Sequence, residues 1–317
     1  MYLIAWPRES SAKFAKQYQK RVTIKHSIEN LIDTNFNLSM SYRRDSSIRI
    51  ENFGSKESLL IGIDKKRQNS LNKNEVSDTN FLQRILDDKN RCRLNSAYGD
   101  YHDSQCPIAL WVVSNCKQTK EAINRWNYGQ KLINLGLKLK GYGKCFDNPL
   151  PGAANKWNKE DDFLTQFKFY LDFENGKHCK DYLSEKFWVN SLQYERVPIV
   201  SGAHPEDVKA LAPNHSFIHV EDFKSPEDLL NYLNYLDRND TAYMEYHKWR
   251  LEPVEESVTN FSRMSRKWCP VCNEITDLKR KNKPERRIKS LAKWWYSSMD
   301  DDECLNGELD FLKYYVP

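Results

Sequence analysis

The side chains best suited to bind an anionic ligand lie close together in one short segment. Tyr182 and Lys186 are four residues apart, so in a helix they share one face and could offer a hydroxyl and an ammonium to a diphosphate. Glu185 could accept hydrogen bonds from sugar or ribose hydroxyls, and Asn175 offers a donor and an acceptor. Asp181 would cap this helix and leave free backbone N–H groups at the site. A plain surface helix with a Glu–Lys pair is the alternative interpretation.

The elements around this segment alternate between strands and helices. Four short runs are typical of strands: 108–113, 167–173, 197–200 and 216–220. Ser225 followed by Pro226 and two acidic residues predicts the start of a helix. The pattern predicts a parallel α/β sheet, in which ligands bind beyond the carboxyl ends of the strands. Segments 173–186 and 200–204 lie at such ends.

The composition indicates a globular chain with a mild positive charge. Its 317 residues are long enough for two domains, and 39% of them are hydrophobic. The net charge of +5 suits a pocket for an anionic nucleotide but does not by itself indicate a nucleic-acid partner. No apolar run approaches the ~18 residues that a membrane-spanning helix needs.

Residues 169–223 carry a longer pattern, FYLDFENGKHCKDYLSEKFWVNSLQYERVPIVSGAHPEDVKALAPNHSFIHVEDF. This stretch resembles the signature of the α1,3/α1,4-fucosyltransferases, which runs FYLxFENS, DYxTEK, VPVV and SFIHVxDF. The departures are Gly176 for Ser, Ser184 for Thr, one extra residue between Asn175 and Asp181, and Glu195-Arg196 before the VPIV strand. The resemblance implies a set of residues that bind the donor GDP-fucose: Asn175, Tyr182, Glu185 and Lys186.

A second segment, WVVSNC at 111–116, resembles another motif of the same family. In the family an Arg in an R-xx-Y spacing follows this motif and contacts the diphosphate. Arg125 and Tyr128 match that spacing after a few extra residues, and Lys120 is a rival for the same role. The planar guanidinium of an Arg can grip phosphate oxygens with two hydrogen bonds and stays charged.

The resemblance also implies a catalytic base near the start of the chain. AWPRESS precedes FNLSMSYRRDSSI, as a strand ending in E-S-P precedes a similar segment in the family, so Glu9 aligns with the base. Ser11 replaces the family Pro, and an ordinary exposed carboxylate is the alternative interpretation of Glu9. Tyr42, Arg43 and Asp45 match the acceptor-domain segment and are assigned a supporting role.

The family fold and activity follow as expectations. We expect two Rossmann-like domains (GT-B) and inverting transfer of L-fucose from GDP-fucose to a GlcNAc hydroxyl in α1,3 linkage on glycans. We expect no essential metal, and we interpret Asp172-Phe173-Glu174 as structural. Lumenal residence at the Golgi membrane is implied by the family only. Because family members carry an anchor, a stem and further strands before the Glu, we expect a truncated chain with an incomplete acceptor domain and a complete donor domain.

These expectations divide the chain into three parts. Residues 1–106 would be the partial acceptor domain, with an exposed polar loop at 55–105, and residues 107–255 the donor domain. Residues 256–317 would be a helical extension carrying Cys269 and Cys272, which resemble a family Cys pair. The eight cysteines are compatible with disulfides in an oxidising compartment. A structural zinc site is disfavoured because no second C-x-x-C exists.

Two other functions compete with the transferase. A GDP-sugar-binding fragment without catalysis is compatible with the missing amino-terminal strands. The basic stretch LKRKNKPERRIKSLAKWW at 278–295 could instead indicate a nucleic-acid or heparin-binding protein. A solvated helix is the preferred interpretation of that stretch, because aromatic residues are not interleaved with its charges.

Overall fold

The structure, a computed structural model, describes residues 4–5, 38–50, 53–71, 78–94, 106–118, 120–150, 165–253 and 269–280. Within these residues the chain forms two parallel sheets and seven α-helices. The smaller sheet has three strands: β1 (Ile4–Ala5), β2 (Leu38–Ser41) and β3 (Ile48–Arg49). Strand β2 lies in the middle and pairs with each neighbour in parallel.

The larger sheet has five strands: β4 (Ala109–Val112), β5 (Leu139–Tyr142), β6 (Phe169–Phe173), β7 (Val197–Ser201) and β8 (Ile218–His219). Their order is β5-β4-β6-β7-β8, and every pair is parallel. Helices α3 (Lys120–Asn134) and α4 (Pro205–Leu211) connect β4 to β5 and β7 to β8. The predicted parallel α/β sheet is confirmed, and the carboxyl ends of its strands lie at one edge.

The central strand β6 is buried on both faces. Phe169, Leu171 and Phe173 pack with the apolar sides of α3 and the helix after β8, and each is 0% exposed. Tyr170 belongs to a separate cluster on the other face, and Asp172 follows it there by the two-residue period of a strand. A fully buried strand therefore places an acidic side chain just before its carboxyl end.

The helices that follow β8 both begin at a side-chain cap. Helix α5 (Pro226–Arg238) starts at the expected Pro, and the Ser225 hydroxyl accepts a 3.0 Å hydrogen bond from the Asp228 N–H. Helix α6 (Asp240–Glu245) comes next, with Asn239 accepting from a backbone N–H in the same way. Local capping alone accounts for both starts.

The expectation of an exposed loop over 55–105 is wrong for most of that region. Two helices occupy it: α1 (Lys56–Leu71) and α2 (Asp78–Leu94). Leu60 and Ile63 from the first, with Phe81 and Ile85 from the second, are buried in a core shared with the segment after β6. Because each helix buries so few apolar residues, its composition resembles that of a loop and its helical periodicity is weak.

Helix α7 (Cys269–Arg280) packs on the smaller sheet rather than the larger one. Val271 and Leu278 contact a cluster that contains Met40 and Ile48. The domain boundaries at 106 and 255 stay predictions. Of the helices within the described ranges, none is long and apolar enough to cross a membrane.

Candidate functional site

The loops after β6 and β7 meet at the carboxyl edge of the larger sheet. The Glu174 N–H donates to the Ser201 carbonyl at 2.8 Å, and the His178 N–H donates to the Gly202 carbonyl. Gly202 has a φ of +103°, and a Cβ there would lie 2.6 Å from the Gly176 carbonyl oxygen. Only glycine fits this crossing, because a side chain would be strained and would push the two loops apart.

The centre of the edge is a buried ion pair between Lys186 and Glu174. The Lys186 Nζ donates to Glu174 Oε2 at 2.9 Å and to the Ser184 hydroxyl at 2.7 Å. Burial alone would lower the pKa of Lys186, but the carboxylates of Glu174 and Glu185 outweigh this effect and raise the pKa. An ammonium has three donors, and the third polar neighbour of this one is the Glu185 carboxylate, 3.5 Å away.

Asp172 lies beneath this pair and is 0% exposed. Neither of its carboxyl oxygens has a hydrogen-bond partner within the described residues. Burial, followed by repulsion from Glu174, raises the pKa of Asp172 well above its usual value. This shift favours the neutral form of Asp172. The cations Lys186 and Arg125 then lie near two other carboxylates, the buried Glu174 and the half-exposed Glu185.

Arg125 connects the ends of two strands from helix α3. Its Nη1 donates to the Phe173 carbonyl at 2.6 Å, and its Nη2 donates to the Asn115 carbonyl at 2.7 Å. Burial lowers the pKa of the guanidinium, and the Glu174 carboxylate opposes that shift. The rival, Lys120, is exposed at the first residue of the helix. Of the two candidates, Arg125 is therefore the one that lies at the edge of the sheet. Two of its nitrogens already donate to backbone carbonyls.

The predicted helix start at Asp181 is wrong. Asp181 has a φ of +57°, and helical structure begins with a π-helical segment, Lys186–Ser191, preceded by Glu185. The reason is tertiary, since the Asp181 carboxylate accepts from Arg44 and so cannot cap the backbone that follows. Tyr182 and Lys186 consequently do not share one face of a first helical turn.

The other predicted donor residues differ in exposure. The Glu185 carboxylate lies 3.5 Å from the Lys186 Nζ, and its side chain is 52% exposed. Tyr182 is buried, and its ring meets those of Tyr42 and Phe53 edge to face at 5.3 and 6.3 Å. The buried Oδ1 of Asn175 has no hydrogen-bond partner within the described part of the chain. Glu185 is thus the most open of these side chains.

The predicted supporting residues dock on the loop after β6. Arg43 holds Asp45 through two hydrogen bonds of 2.9 and 2.8 Å, and Asp45 also lies 3.2 Å from the Lys180 Nζ. Burial would raise the pKa of Asp45, but these two cations lower it to about 2. The candidate base, Glu9, lies outside the described residues, so its role stays a prediction.

Of two disulfides between described residues, one joins loops at the carboxyl edge of the sheet. Cys116–Cys145 joins the loops after β4 and β5, and Cys92–Cys106 joins helix α2 to the segment before β4. Cys179 is also disulfide-bonded, and Cys272 is an exposed free thiol. No three His, Cys, Asp or Glu side chains are grouped as metal ligands in the part of the chain that the structure describes.

Sequence reasoning missed three residues of this site. Glu174 and Asp172 were assigned to structure, although both lie within the motif that carries Asn175. The role of Arg44 could not be predicted, because its partners Asp181 and Asp207 are far away in the chain. A charged residue in a fully buried strand was the signal available for Asp172 and Glu174, whereas no local signal marked Arg44.

Comparison with known families decides the membership of the chain. Residues 103–294 match the family model described as glycosyltransferase family 10 (fucosyltransferase), C-terminal region. The chain belongs to glycosyltransferase family 10. The matched range contains Arg125, Asp172, Glu174 and Lys186.

Curated relatives carry related names. The glycoprotein 3-alpha-L-fucosyltransferase A of Drosophila melanogaster is 37% identical over 197 residues, which are 62% of this chain and 36% of that protein. The human 3-galactosyl-N-acetylglucosaminide 4-alpha-L-fucosyltransferase is 34% identical over 190 residues, which are 59% of this chain and 47% of that protein. The match thus spans less than half the length of each relative.

Two solved structures are also similar. A crystal structure of an α1,3-fucosyltransferase with GDP has 28% identity and a TM-score of 0.36, covering 48% of this chain and 41% of that one. A crystal structure of an α1,3-fucosyltransferase with GDP-fucose has 21% identity and a TM-score of 0.39, covering 67% and 60%.

Proposed function

We propose that the chain is a fucosyltransferase that moves L-fucose from GDP-fucose to a GlcNAc hydroxyl, in α1,3 linkage, on glycoprotein or glycolipid glycans. Membership of glycosyltransferase family 10 and the names of its curated relatives support this activity. The observation that carries the donor site is the buried pair of Lys186 and Glu174 at the carboxyl edge of the sheet.

The geometry supports the departure of a diphosphate from the sugar. When the bond to the anomeric carbon breaks, negative charge develops on the GDP, and a fixed cation lowers the energy of that state. Glu174 and Ser184 hold the Lys186 ammonium in place, and its third neighbour, Glu185, is half exposed. The Arg125 Nε also lacks a partner within the described residues. Glu185 is exposed enough to accept from sugar or ribose hydroxyls.

The proposal includes inversion at the anomeric carbon, with Glu9 taking the proton of the acceptor hydroxyl. It also includes a GT-B arrangement of two Rossmann-like domains. Two parallel sheets, with helix α7 packed on the smaller one, are consistent with that arrangement. We further propose that transfer requires no metal, so a chelator should leave the rate unchanged.

Lumenal residence at the Golgi membrane is part of the proposal. Disulfides form and persist mainly in oxidising compartments, and the structure contains Cys92–Cys106 and Cys116–Cys145. Because glycan acceptors also pass through that compartment, the location and the chemistry agree.

The test is transfer from GDP-fucose to two acceptors, N-acetyllactosamine and an N-glycan core, with the linkage and anomeric configuration of the product determined by NMR. We expect an α1,3-fucosylated product with inverted configuration from at least one acceptor. Glu9→Gln should abolish transfer and leave GDP binding unchanged. Transfer of fucose without GDP dependence would contradict the proposal.

A binding fragment without catalysis is the competing function, since the chain spans less than half of its relatives. Saturable GDP binding with no product from any acceptor would favour that function. The basic stretch at 278–295 offers weaker support for a nucleic-acid partner. Its described start contains Leu278, which is buried against the smaller sheet.

A further inference from the structure

Arg44 closes a ring of hydrogen bonds between the turn after β2 and the loop after β6. Its backbone N–H and its Nε donate to the two carboxylate oxygens of Asp181 at 2.7 and 2.6 Å. Its Nη2 donates to one oxygen of Asp207 at 2.7 Å, and the Asp181 N–H donates to the other at 2.9 Å. One arginine therefore fixes both the side chain and, through Asp207, the backbone of Asp181.

Asp181 needs such support. Its φ of +57° lies in the left-handed region, and its side chain is 0% exposed. A buried carboxylate in a sparsely populated conformation persists only when its surroundings hold it there. The chain leaves this residue toward Tyr182, Glu185 and Lys186, so the conformation at 181 sets the path of the donor segment.

We propose that Arg44 is a positioning residue of the donor site. It holds the segment from Asp181 to Glu185 in the path that presents Glu185 and Lys186 to the nucleotide, and it does not touch the ligand. This inference rests on the proposed function. It makes guanine nucleotide binding depend on a residue 137 positions before its partner in the chain.

Arg84 provides a matched control. It also pairs with two carboxylates, Glu195 at 2.6 Å and Asp88 at 3.1 Å. Glu195 has a φ of +58°, nearly that of Asp181, and the exposed fractions of the two arginine side chains are 48% and 40%. Glu195, however, lies before the amino end of β7, at the opposite edge of the sheet. The two arginines share their chemistry and differ in location.

The experiment measures the GDP Kd by isothermal titration and the Tm for the full chain, Arg44→Ala and Arg84→Ala. Both variants should lower the Tm, but only Arg44→Ala should weaken GDP binding, by ~10-fold, which is about 1.4 kcal/mol. Hydrogen exchange at 181–186 should also become faster in Arg44→Ala alone. Equal Kd values for the two variants would overturn the proposal.

Two milder variants keep the test decisive if Arg44→Ala does not fold. Arg44→Lys keeps the positive charge but lacks the planar guanidinium that donates to Asp181 and Asp207 together. Its GDP Kd should therefore lie between those of the wild type and the Ala variant. Asp207→Asn should weaken GDP binding by ~3-fold, because it leaves the Asp181 pair intact. Wild-type GDP affinity in both would overturn the positioning role alone. A wild-type chain that ignores GDP would instead overturn the proposed function, and this inference with it.

Discussion

Two buried lysines flank strand β6 and use the same side chain in different ways. Before the strand, the Lys168 Nζ donates to the Asp237 carbonyl at 2.9 Å and to Asp240 at 3.2 Å, and it lies 5.2 Å from the Tyr243 ring. After the strand, Lys186 is held by Glu174 and Ser184. The side chains are 2% and 14% exposed.

The difference shows how a fold separates stability from ligand binding. Lys168 is enclosed at the amino edge by α5, α6 and an aromatic ring, so its charge is satisfied within the protein. Lys186 lies at the carboxyl edge, where parallel sheets bind ligands, and its side chain is more exposed than that of Lys168. We therefore expect Lys168 to govern unfolding and Lys186 to govern GDP binding.

The largest effect is expected for Lys168→Met. Removing the ammonium takes the nearer of two lysines away from the buried Asp237 carboxylate, which keeps Lys138 at 3.8 Å. It also removes the donor to the Asp237 carbonyl and to Asp240. Breaking a buried pair costs ~4 kcal/mol of the free energy of unfolding. Urea denaturation should show this loss, while the folded fraction binds GDP with wild-type affinity. A changed GDP affinity would show that the amino edge also serves the ligand.

Lys186→Ala should reduce kcat/KM for transfer by ~10²-fold or more, because it removes a fixed cation from the departing diphosphate. Arg125→Ala should act in the same direction. If either variant transfers fucose at the wild-type rate, the carboxyl-edge cluster is not the donor site. Thermal unfolding of each variant serves as the control, because a variant that does not fold would lose activity without having lost a contact to the ligand.

The amino edge should contribute to the acid sensitivity of stability through Glu195. Burial would raise the pKa of Glu195, but Arg84 outweighs this effect and lowers it from 4.5 to about 2. A depressed pKa stabilises the folded state above pH 4.5, and this contribution is lost as the pH falls toward 2. Its magnitude is ~2 kcal/mol after allowance for partial exposure. Glu195→Gln should flatten the stability profile in that window, and an unchanged slope would contradict the assignment.

The smallest effect is expected for Ser225→Ala. This residue follows β8 at the carboxyl edge, yet its hydroxyl only caps helix α5. Loss of the cap should lower the free energy of unfolding by ~1 kcal/mol. The GDP Kd should stay unchanged. Weaker GDP binding would mean that any residue at this edge affects binding. The different roles of Lys168 and Lys186 would then not follow from their location alone.

Local patterns were sufficient to predict much of this structure. Four strands of the larger sheet follow from short strand-like runs, and the α5 start follows from Ser225 and Pro226. Lys186, Glu185 and Arg125 were selected from motifs, and the structure brings them to one edge of the sheet. Each of these features depends on residues within a few positions of one another.

Features set by distant contacts could not be predicted. The helix start at Asp181 failed because Arg44 takes the carboxylate that would have capped it. Helices α1 and α2 were missed because a few buried residues, such as Leu60 and Ile85, are enough to anchor them to a neighbouring core. The neutral form favoured for Asp172 also depends on its burial beside Glu174, which the sequence does not show.

The most direct test of the donor site is a crystal structure of the full chain with GDP. We predict a diphosphate oxygen within about 3 Å of the Lys186 Nζ, the distance of a charge-assisted hydrogen bond, with Glu185 facing the ribose. GDP bound beside Lys168, or beside Lys279 and Arg280 at the end of helix α7, would contradict the account.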